Sequence, residues 1–407
     1  MSGGAKPDGR TTARFVNVCG AALGMAAGFS AVFISTNGVF GPAIRHEFHW
    51  GRAQASQSYA ASMLGSALIS PLIGMWMDRF GVKRVVLISA LVFAAALACL
   101  SLQDANELRW LALSLLIGVS GVGTSALGYL SILPKSFDRR LGLATGVAMV
   151  GLGVGTIGLP VLSAKIIATS GWRVAYQLLA AIALTGALTA HFMLRESGTP
   201  RSKLEPEATH VPSGNTLLRQ KAGTTIVMFF GVLLASCAVL SLGPHLPALL
   251  MDRGLTASDA AKSASLIGLG VLLGRLSCGV AVDHIHAPFV ACAYFAFGVA
   301  GFVFLGQLNS YGGASLASMF VGLAIGAEGD LLAYMVRVYL GTHRFGLLYG
   351  LVFAGYPLGA IIGPVMTGRY FDTYQNYVLP LWIAPALLIV ASLLFLSLGR
   401  YAKPGLH

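Results

Sequence analysis

The chain has 407 residues, of which 56% are hydrophobic and only 10% are charged, and its formal net charge is +12. Soluble domains carry about 25% charged residues, so this composition excludes an ordinary water-soluble fold. The 51 glycines show no Gly-x-y period, which excludes a collagen-like chain. Abundant small residues are instead typical of membrane helices that pack closely.

Twelve apolar stretches are long enough to cross a bilayer as helices. They lie roughly at 15–40, 53–77, 85–102, 109–134, 141–166, 173–194, 224–250, 259–282, 288–308, 314–340, 347–370 and 379–399. The five cysteines all fall inside these stretches without metal-ligand spacing, and no phosphate-binding loop is present. The sequence therefore predicts an all-α membrane protein with no metal and no cofactor.

The distribution of Lys and Arg predicts the orientation of the chain. With the N-terminus inside, 17 of these residues fall in cytoplasmic segments and six on the opposite side: Arg45, Arg52, Arg109, Arg173, Arg253 and Arg369. Positive residues accumulate on the cytoplasmic side of membrane proteins, so both termini are predicted to be cytoplasmic. This bias also accounts for the net charge of +12 without a nucleic-acid partner.

A polar segment rich in Pro and Ser divides the twelve stretches into six and six, and its composition is typical of a flexible connector. The predicted organisation is a tail at 1–14, a six-helix bundle at 15–194, a cytoplasmic linker at 195–223, a second bundle at 224–399 and a tail at 400–407.

One glycine-rich pattern occurs twice. RLGLATGVAMVGLGVGTIGLP, from Arg140 to Pro160, and RFGLLYGLVFAGYPLGAIIGP, from Arg344 to Pro364, share Arg, Gly and Pro positions 204 residues apart. Two six-helix halves that repeat each other, joined by a cytoplasmic linker, are typical of secondary transporters whose binding site lies at mid-membrane between the halves.

A second repeated pattern lies at the ends of the second and eighth helices, in GMWMDRFGVKR (Gly74–Arg84) and GVAVDH (Gly279–His284). The first resembles the signature loop of the major facilitator superfamily. Asp78 at a helix end can accept hydrogen bonds from the N-terminus of a partner helix. We therefore expect contacts that hold the halves together in one state, a conformational latch, and that must break during transport. The predicted latch residues are Gly74, Asp78, Arg79 and Asp283.

Three further segments resemble the monocarboxylate transporters and their oxalate–formate antiporter relatives within that superfamily. FDRRLGLATGVAMVG (Phe137–Gly151) is similar to the family's fifth-helix signature. EFHWGR (Glu47–Arg52) and GPHLPALLMDRGL (Gly243–Leu255) are similar to its first external loop and seventh helix. The resemblance covers nearly the whole chain and implies transport of a small carboxylate.

Arg275 is the main candidate for the substrate anchor. It precedes the end of the eighth helix at Asp283 by eight residues, about 12 Å at 1.5 Å per residue, which places it near mid-membrane. A charge there is costly unless it is paired or hydrated, and a guanidinium fits a carboxylate in a bidentate way. In the family that the chain resembles, an Arg of this helix binds the substrate carboxylate; structural pairing with an acidic residue is the alternative.

Glu328 and Asp330 in the tenth helix are the candidate proton-coupling residues. Either carboxyl can neutralise Arg275 or take the transported proton, although Glu328 can instead cap a break in the helix beside its glycines. His245 matches the family's seventh-helix motif, where a gating or capping role is as well supported as a proton role.

Several other polar side chains are candidates for lining the substrate pocket, and each can equally serve packing or bond the backbone. Tyr129 lies where the family often places a pocket tyrosine. The remaining candidates are Tyr334, Tyr356, Ser35 and Asn37.

The chain also departs from the families that it resembles. The animal transporters carry a Lys in the first helix and an Asp one turn before the Arg, where this chain has Ser35 and Val271. The oxalate exchangers carry a second cation in the eleventh helix, where this chain has Tyr356. Their coupling relay cannot be transferred, and a single buried cation favours monoanions over dianions.

The sequence predicts a secondary transporter that moves a small organic monoanion such as lactate or pyruvate, with a proton, by alternating access. The alternatives are a proton-antiport exporter of drugs or other solutes and an anion exchanger; a channel or a membrane enzyme lacks supporting motifs. We expect the chain to work as a monomer in the lipid bilayer of a bacterial inner membrane.

Overall fold

The computed structural model describes residues 9–137, 140–195, 214–307 and 310–401. Within these residues, twelve helical spans are long and apolar enough to cross a membrane, which confirms the predicted number. They are numbered here span 1 to span 12 in chain order.

Two spans of the first half are interrupted helices. Span 1 consists of Gly9–Ala26 and Asn37–Phe48 with a π-helical turn at Ser30–Ile34 between them. Span 4 runs through Glu107–Gly121, Val122–Thr124 and Ala126–Leu130, and the short helix Leu133–Ser136 follows it. Spans 2, 3, 5 and 6 are continuous: Arg52–Phe80, Val82–Leu100, Leu141–Ser170 and Trp172–Met193.

The second half repeats this arrangement. Span 7 is Gly214–Leu240, and the separate helix Leu246–Asp252 follows it. Span 10 is Tyr311–Met335, extended by a π-helical turn at Val336–Leu340, and span 11 is Phe345–Phe353 followed by Gly355–Tyr374. Spans 8, 9 and 12 are Ala257–His284, Ala287–Gln307 and Val378–Ser397.

The first span is longer than the sequence predicted. It continues to Phe48 rather than ending at 40. Earlier in the span, the Ser35 and Thr36 hydroxyls donate to carbonyls of their own helix, each at 2.6 Å. Glu47, near its end, is paired with Arg173 at 2.5 Å. This ion pair joins the extension of span 1 to the start of span 6.

Span 7 also differs from its predicted limits. It begins at Gly214, inside the predicted linker, and ends at Leu240 rather than at 250. Gly243 and Pro244 follow this end, and since Pro has no N–H to donate, the helix does not continue through them. Residues 196–213 of the predicted linker lie outside the described residues.

The repeat extends to the backbone conformation. Positive φ angles, which residues other than Gly rarely adopt, recur at offsets of 204 or 205 residues in three pairs: His49 with Gly254, Arg140 with Arg344, and Gly171 with Gln375. Arg140 (φ 60°) and Arg344 (φ 53°) directly precede spans 5 and 11. The two halves therefore share turn geometry as well as sequence.

Glycines bring the two halves into backbone contact, span 2 against span 11 and span 5 against span 8. A Cβ built on Gly74 or Gly346 would overlap the carbonyl oxygen of the other residue, and the same holds for Gly142 and Gly279. Close helix approach through small residues is a general feature of membrane packing. The glycine pattern occurs in both halves because each half makes one such backbone contact with the other.

Candidate functional site

Arg275 lies in span 8 where the second half faces the first. Its side chain is buried, with 9% exposed. Its Nη1 donates to the carbonyl of Met149 in span 5 at 3.2 Å, and a Cβ built on Gly153 of span 5 would lie 3.7 Å from the same nitrogen. The guanidinium therefore projects across the boundary between the halves, eight residues into span 5 and nine residues before the end of span 8.

Tyr356 of span 11 belongs to the same region. Its hydroxyl lies within electrostatic range of Arg275, of Glu328 and of the Tyr59 hydroxyl in span 2. Both tyrosines remain partly accessible although they lie within the helical bundle. The structure thus brings Arg275, Tyr356 and Glu328 into one region and adds Tyr59 from the other half.

Glu328 is almost fully buried in span 10, with 4% of the side chain exposed. The Ser236 hydroxyl of span 7 donates to its Oε1. Its Oε2 is buried and has no hydrogen-bond partner among the described residues. Apolar side chains surround the carboxyl, including Val232, Leu332 and Phe395. Glu328 is therefore bonded to span 7 and lies near Tyr356 of span 11.

Asp330 lies in the helical backbone of span 10, two residues after Glu328. Its side chain is outside the described residues, so its proposed proton role stays a prediction.

Tyr334 lies away from Arg275, toward the end of the bundle that carries Asp78 and Asp283, here called the inner end. Its ring packs edge-on against Tyr401, with ring centroids 6.4 Å apart. Its hydroxyl lies within electrostatic range of Asp283. Burial raises the pKa of Tyr401, whose hydroxyl accepts a hydrogen bond from the Ala287 amide at 3.1 Å. The geometry ties Tyr334 to the inner end rather than to a pocket around Arg275.

Tyr129 is the counterpart of Tyr334, 205 residues earlier. It is 1% exposed, its ring packs on Gly24 of span 1, and its hydroxyl has no hydrogen-bond partner among the described residues. In this structure Tyr129 therefore serves the packing of spans 1 and 4.

The remaining polar candidates make local contacts. The Ser35 hydroxyl donates to the Ala31 carbonyl, and the Asn37 amide donates to the Ser58 hydroxyl of span 2 at 2.8 Å. His245 contacts the Pro364 carbonyl at 3.1 Å and lies beside Tyr377, the residue directly before span 12. The described hydrogen bonds of these three side chains go to residues other than Arg275 and Glu328.

The latch residues form two matching contacts at the inner end. Asp78 accepts hydrogen bonds from the amides of Gly346 and Leu347, both at 2.9 Å. Asp283 accepts from the amides of Gly142 and Leu143, at 2.9 and 3.0 Å. Each carboxylate therefore caps the first amides of a helix in the opposite half, where unpaired N–H groups and the helix dipole favour a negative charge.

Two arginines at the inner end, Arg79 and Arg337, make different kinds of contact. Arg79 stacks on the neighbouring Phe80 ring at 5.3 Å. Arg337, in the π-helical turn of span 10, donates to the carbonyl of Phe137 in the opposite half. Arg337 thus forms a third contact between the halves at the inner end.

The architecture and the latch point to one family. The family model described as Major Facilitator Superfamily matches residues 22–364. The chain belongs to the major facilitator superfamily. It is accordingly a multi-pass membrane transporter and not an enzyme.

Within this superfamily the chain is similar to named transporters. Monocarboxylate transporter 4 of Gallus gallus is 24% identical over 388 residues, covering 92% of this chain and 80% of that protein. Monocarboxylate transporter 11 of Homo sapiens is 28% identical over 358 residues, covering 84% and 72%. A bacterial homologue of the iron transporter ferroportin, solved in an outward-facing state, has a TM-score of 0.72 at 16% identity and covers 95% of this chain and 99% of that one, which shows the shared fold.

Sequence reasoning about this superfamily member missed Tyr59, Ser236 and the Met149–Gly153 turn. Tyr59 and Ser236 are ordinary polar residues in apolar stretches, without a charge or motif to mark them. The one usable signal was the family-like signature of span 5, because Met149 lies within it. Its glycines were interpreted as packing residues only.

We predict that Asp78→Ala and Asp283→Ala each shift the transporter toward a state open at the inner end. Loss of a helix cap costs about 0.5–2 kcal/mol, which is about a two- to thirtyfold change in the ratio of populations. Spin labels at the exposed positions Arg84 and His343, one in each half, would report the distance between the halves by electron resonance in nanodiscs.

Asp372→Ala is the matched control, because Asp372 is exposed at the other end of span 11. Because the two contacts are alike, we expect shifts of similar size from both latch variants. The quantity compared is the fraction of molecules in which the two spin labels are far apart. If this fraction in Asp78→Ala or in Asp283→Ala equals that in Asp372→Ala, the latch role of the substituted aspartate is refuted.

Proposed function

We propose that the chain is a secondary active transporter of a small organic monoanion that carries a carboxylate, driven by proton symport. The main observation behind this proposal is the buried guanidinium of Arg275, which projects between the two halves within spans 5 and 8. A guanidinium that faces the boundary between the halves can bind a carboxylate with two charge-assisted hydrogen bonds. The names of the monocarboxylate transporters that the chain resembles support the same class of substrate.

The proposed cycle uses the contacts between the halves. In the structure the inner end is held closed by the Asp78 and Asp283 caps and by the Arg337 bond. The anion binds Arg275 from the opposite side, Tyr356 and Tyr59 complete its surroundings, and the halves rock until the inner contacts break. Since one chain supplies both sides of the site, a monomer is sufficient.

Glu328 is the proposed proton carrier. Its carboxyl is buried, one oxygen is bonded only to Ser236, and the other has no partner among the described residues. An unpaired buried charge is very costly, so we propose that Glu328 is protonated in this state. Symport is favoured because moving a lone anion against the membrane potential costs about 2.3 kcal/mol per charge per 100 mV, whereas a co-transported proton makes the step electroneutral.

We predict that Arg275→Ala abolishes carboxylate transport. Two charge-assisted hydrogen bonds contribute about 1.5–3 kcal/mol each, so uptake at low substrate concentration should fall by at least about 100-fold. Uptake of labelled lactate and pyruvate into proteoliposomes under an inward proton gradient measures this. Arg275→Lys should recover part of the rate, because Lys keeps the charge but not the bidentate geometry.

The matched control is Arg369→Ala, since Arg369 is exposed at the far end of span 11. Lactate uptake that survives Arg275→Ala at the control rate would place the site elsewhere. Export of cationic drugs without carboxylate uptake in the wild type would favour the exporter alternative.

We predict that Glu328→Gln uncouples transport from the proton gradient. Gln has the shape of Glu and can still accept from Ser236, but it cannot release a proton. Accumulation of lactate above equilibrium should therefore disappear, while exchange of internal for external lactate continues. Ser236→Ala, which keeps the carboxyl, should still accumulate lactate; gradient-driven accumulation by Glu328→Gln itself would contradict the assignment.

A further inference from the structure

The glycines of span 5 are of two kinds, and the difference concerns the substrate site. A Cβ on Gly142, Gly151 or Gly155 would overlap a backbone carbonyl oxygen of a neighbouring span. These glycines are required by packing, because nothing larger fits without moving a helix.

Gly153 faces open space instead. Among the described residues, a Cβ built there has two neighbours within 4 Å, Arg275 Nη1 at 3.7 Å and Leu272 Cδ1 at 3.9 Å, both at ordinary contact distance. The residue is partly accessible although it faces span 8 of the other half. Packing therefore does not require a glycine at 153, and the missing side chain leaves room directly beside the guanidinium.

The turn of span 5 that holds this space is also the one that binds Arg275. Met149, whose carbonyl accepts from Nη1, precedes Gly153 by four residues, so both lie on the same face of the helix. Leu272, one turn before Arg275 in span 8, forms the other wall of the space. A carboxylate held by Arg275 would have its organic part next to residue 153.

We propose that Gly153 is a specificity-determining residue that sets the size of the acid accepted at Arg275. This inference rests on the proposed function and deepens it. The space left by the missing side chain accommodates the carbon chain of acids larger than pyruvate. A side chain at 153 would occupy that space without displacing backbone.

The test is a comparison of a three-carbon and a six-carbon acid, pyruvate and 4-methyl-2-oxopentanoate, in proteoliposome uptake by the wild type, Gly153→Ala and Gly153→Leu. Gly153→Leu should lower the ratio of kcat/KM for the larger acid over pyruvate by at least about tenfold, as expected when a pocket loses room for a few carbon atoms. Gly153→Ala should change the ratio in the same direction by less. Ala and Leu both favour helix over Gly, so span 5 should fold in both variants.

Gly158→Leu is the matched control. Gly158 lies on the same span and is exposed, and a Cβ there meets nothing within 4 Å. In Gly158→Leu, the ratio of kcat/KM for 4-methyl-2-oxopentanoate over pyruvate should equal that of the wild type. A ratio that is unchanged in Gly153→Leu, including a uniform fall for both acids, would overturn the inference while leaving the proposed function in place. A wild type that moves neither acid would overturn the proposed function and this assignment with it.

Discussion

The structure depends on two places where helix backbones from opposite halves touch through glycine. At Gly142 and Gly279, and again at Gly74 and Gly346, any side chain would separate the helices. The contact brings the first amides of spans 5 and 11 to the carboxylates of Asp283 and Asp78. Since these groups lie at the inner end, water can replace each bond when the halves part. A close but hydratable contact of this kind suits a device that must open repeatedly.

The repeat makes the scaffold symmetric, and the proposed chemistry lies where the symmetry fails. Arg275 occupies the position 205 residues after Ser70, and the carbonyls of both residues lie against glycines of the opposite half, Gly146 and Gly350. The backbone crossing is thus the same in both halves, while only the second carries a charge. Glu328 likewise corresponds to Gly123, 205 residues earlier. Anion and proton sites are therefore both assigned to the second half, with the first supplying the surface against which the substrate closes.

Much of the fold could be predicted from the sequence, because twelve long apolar stretches and a 204-residue repeat leave few arrangements. The Asp78 and Asp283 contacts were also foreseeable, since an aspartate at a helix end next to a glycine contact has an obvious partner. The tyrosines were harder. Tyr129, Tyr334 and Tyr356 look alike in sequence, and only packing separates the buried Tyr129 and the inner-end Tyr334 from Tyr356 near Arg275. Gly153 could not be distinguished from its neighbours, because whether a glycine faces backbone or open space depends on the opposite helix.

The most direct test of this account is a structure of the transporter with a bound monocarboxylate. We predict that both carboxylate oxygens lie within hydrogen-bond distance of the Arg275 guanidinium, with the organic part beside Gly153 and between Tyr59 and Tyr356. A carboxylate bound away from Arg275, with the guanidinium still on the Met149 carbonyl, would contradict the central claim. The fold and the inner contacts would then stand, and the anchor would have to be sought elsewhere between the halves.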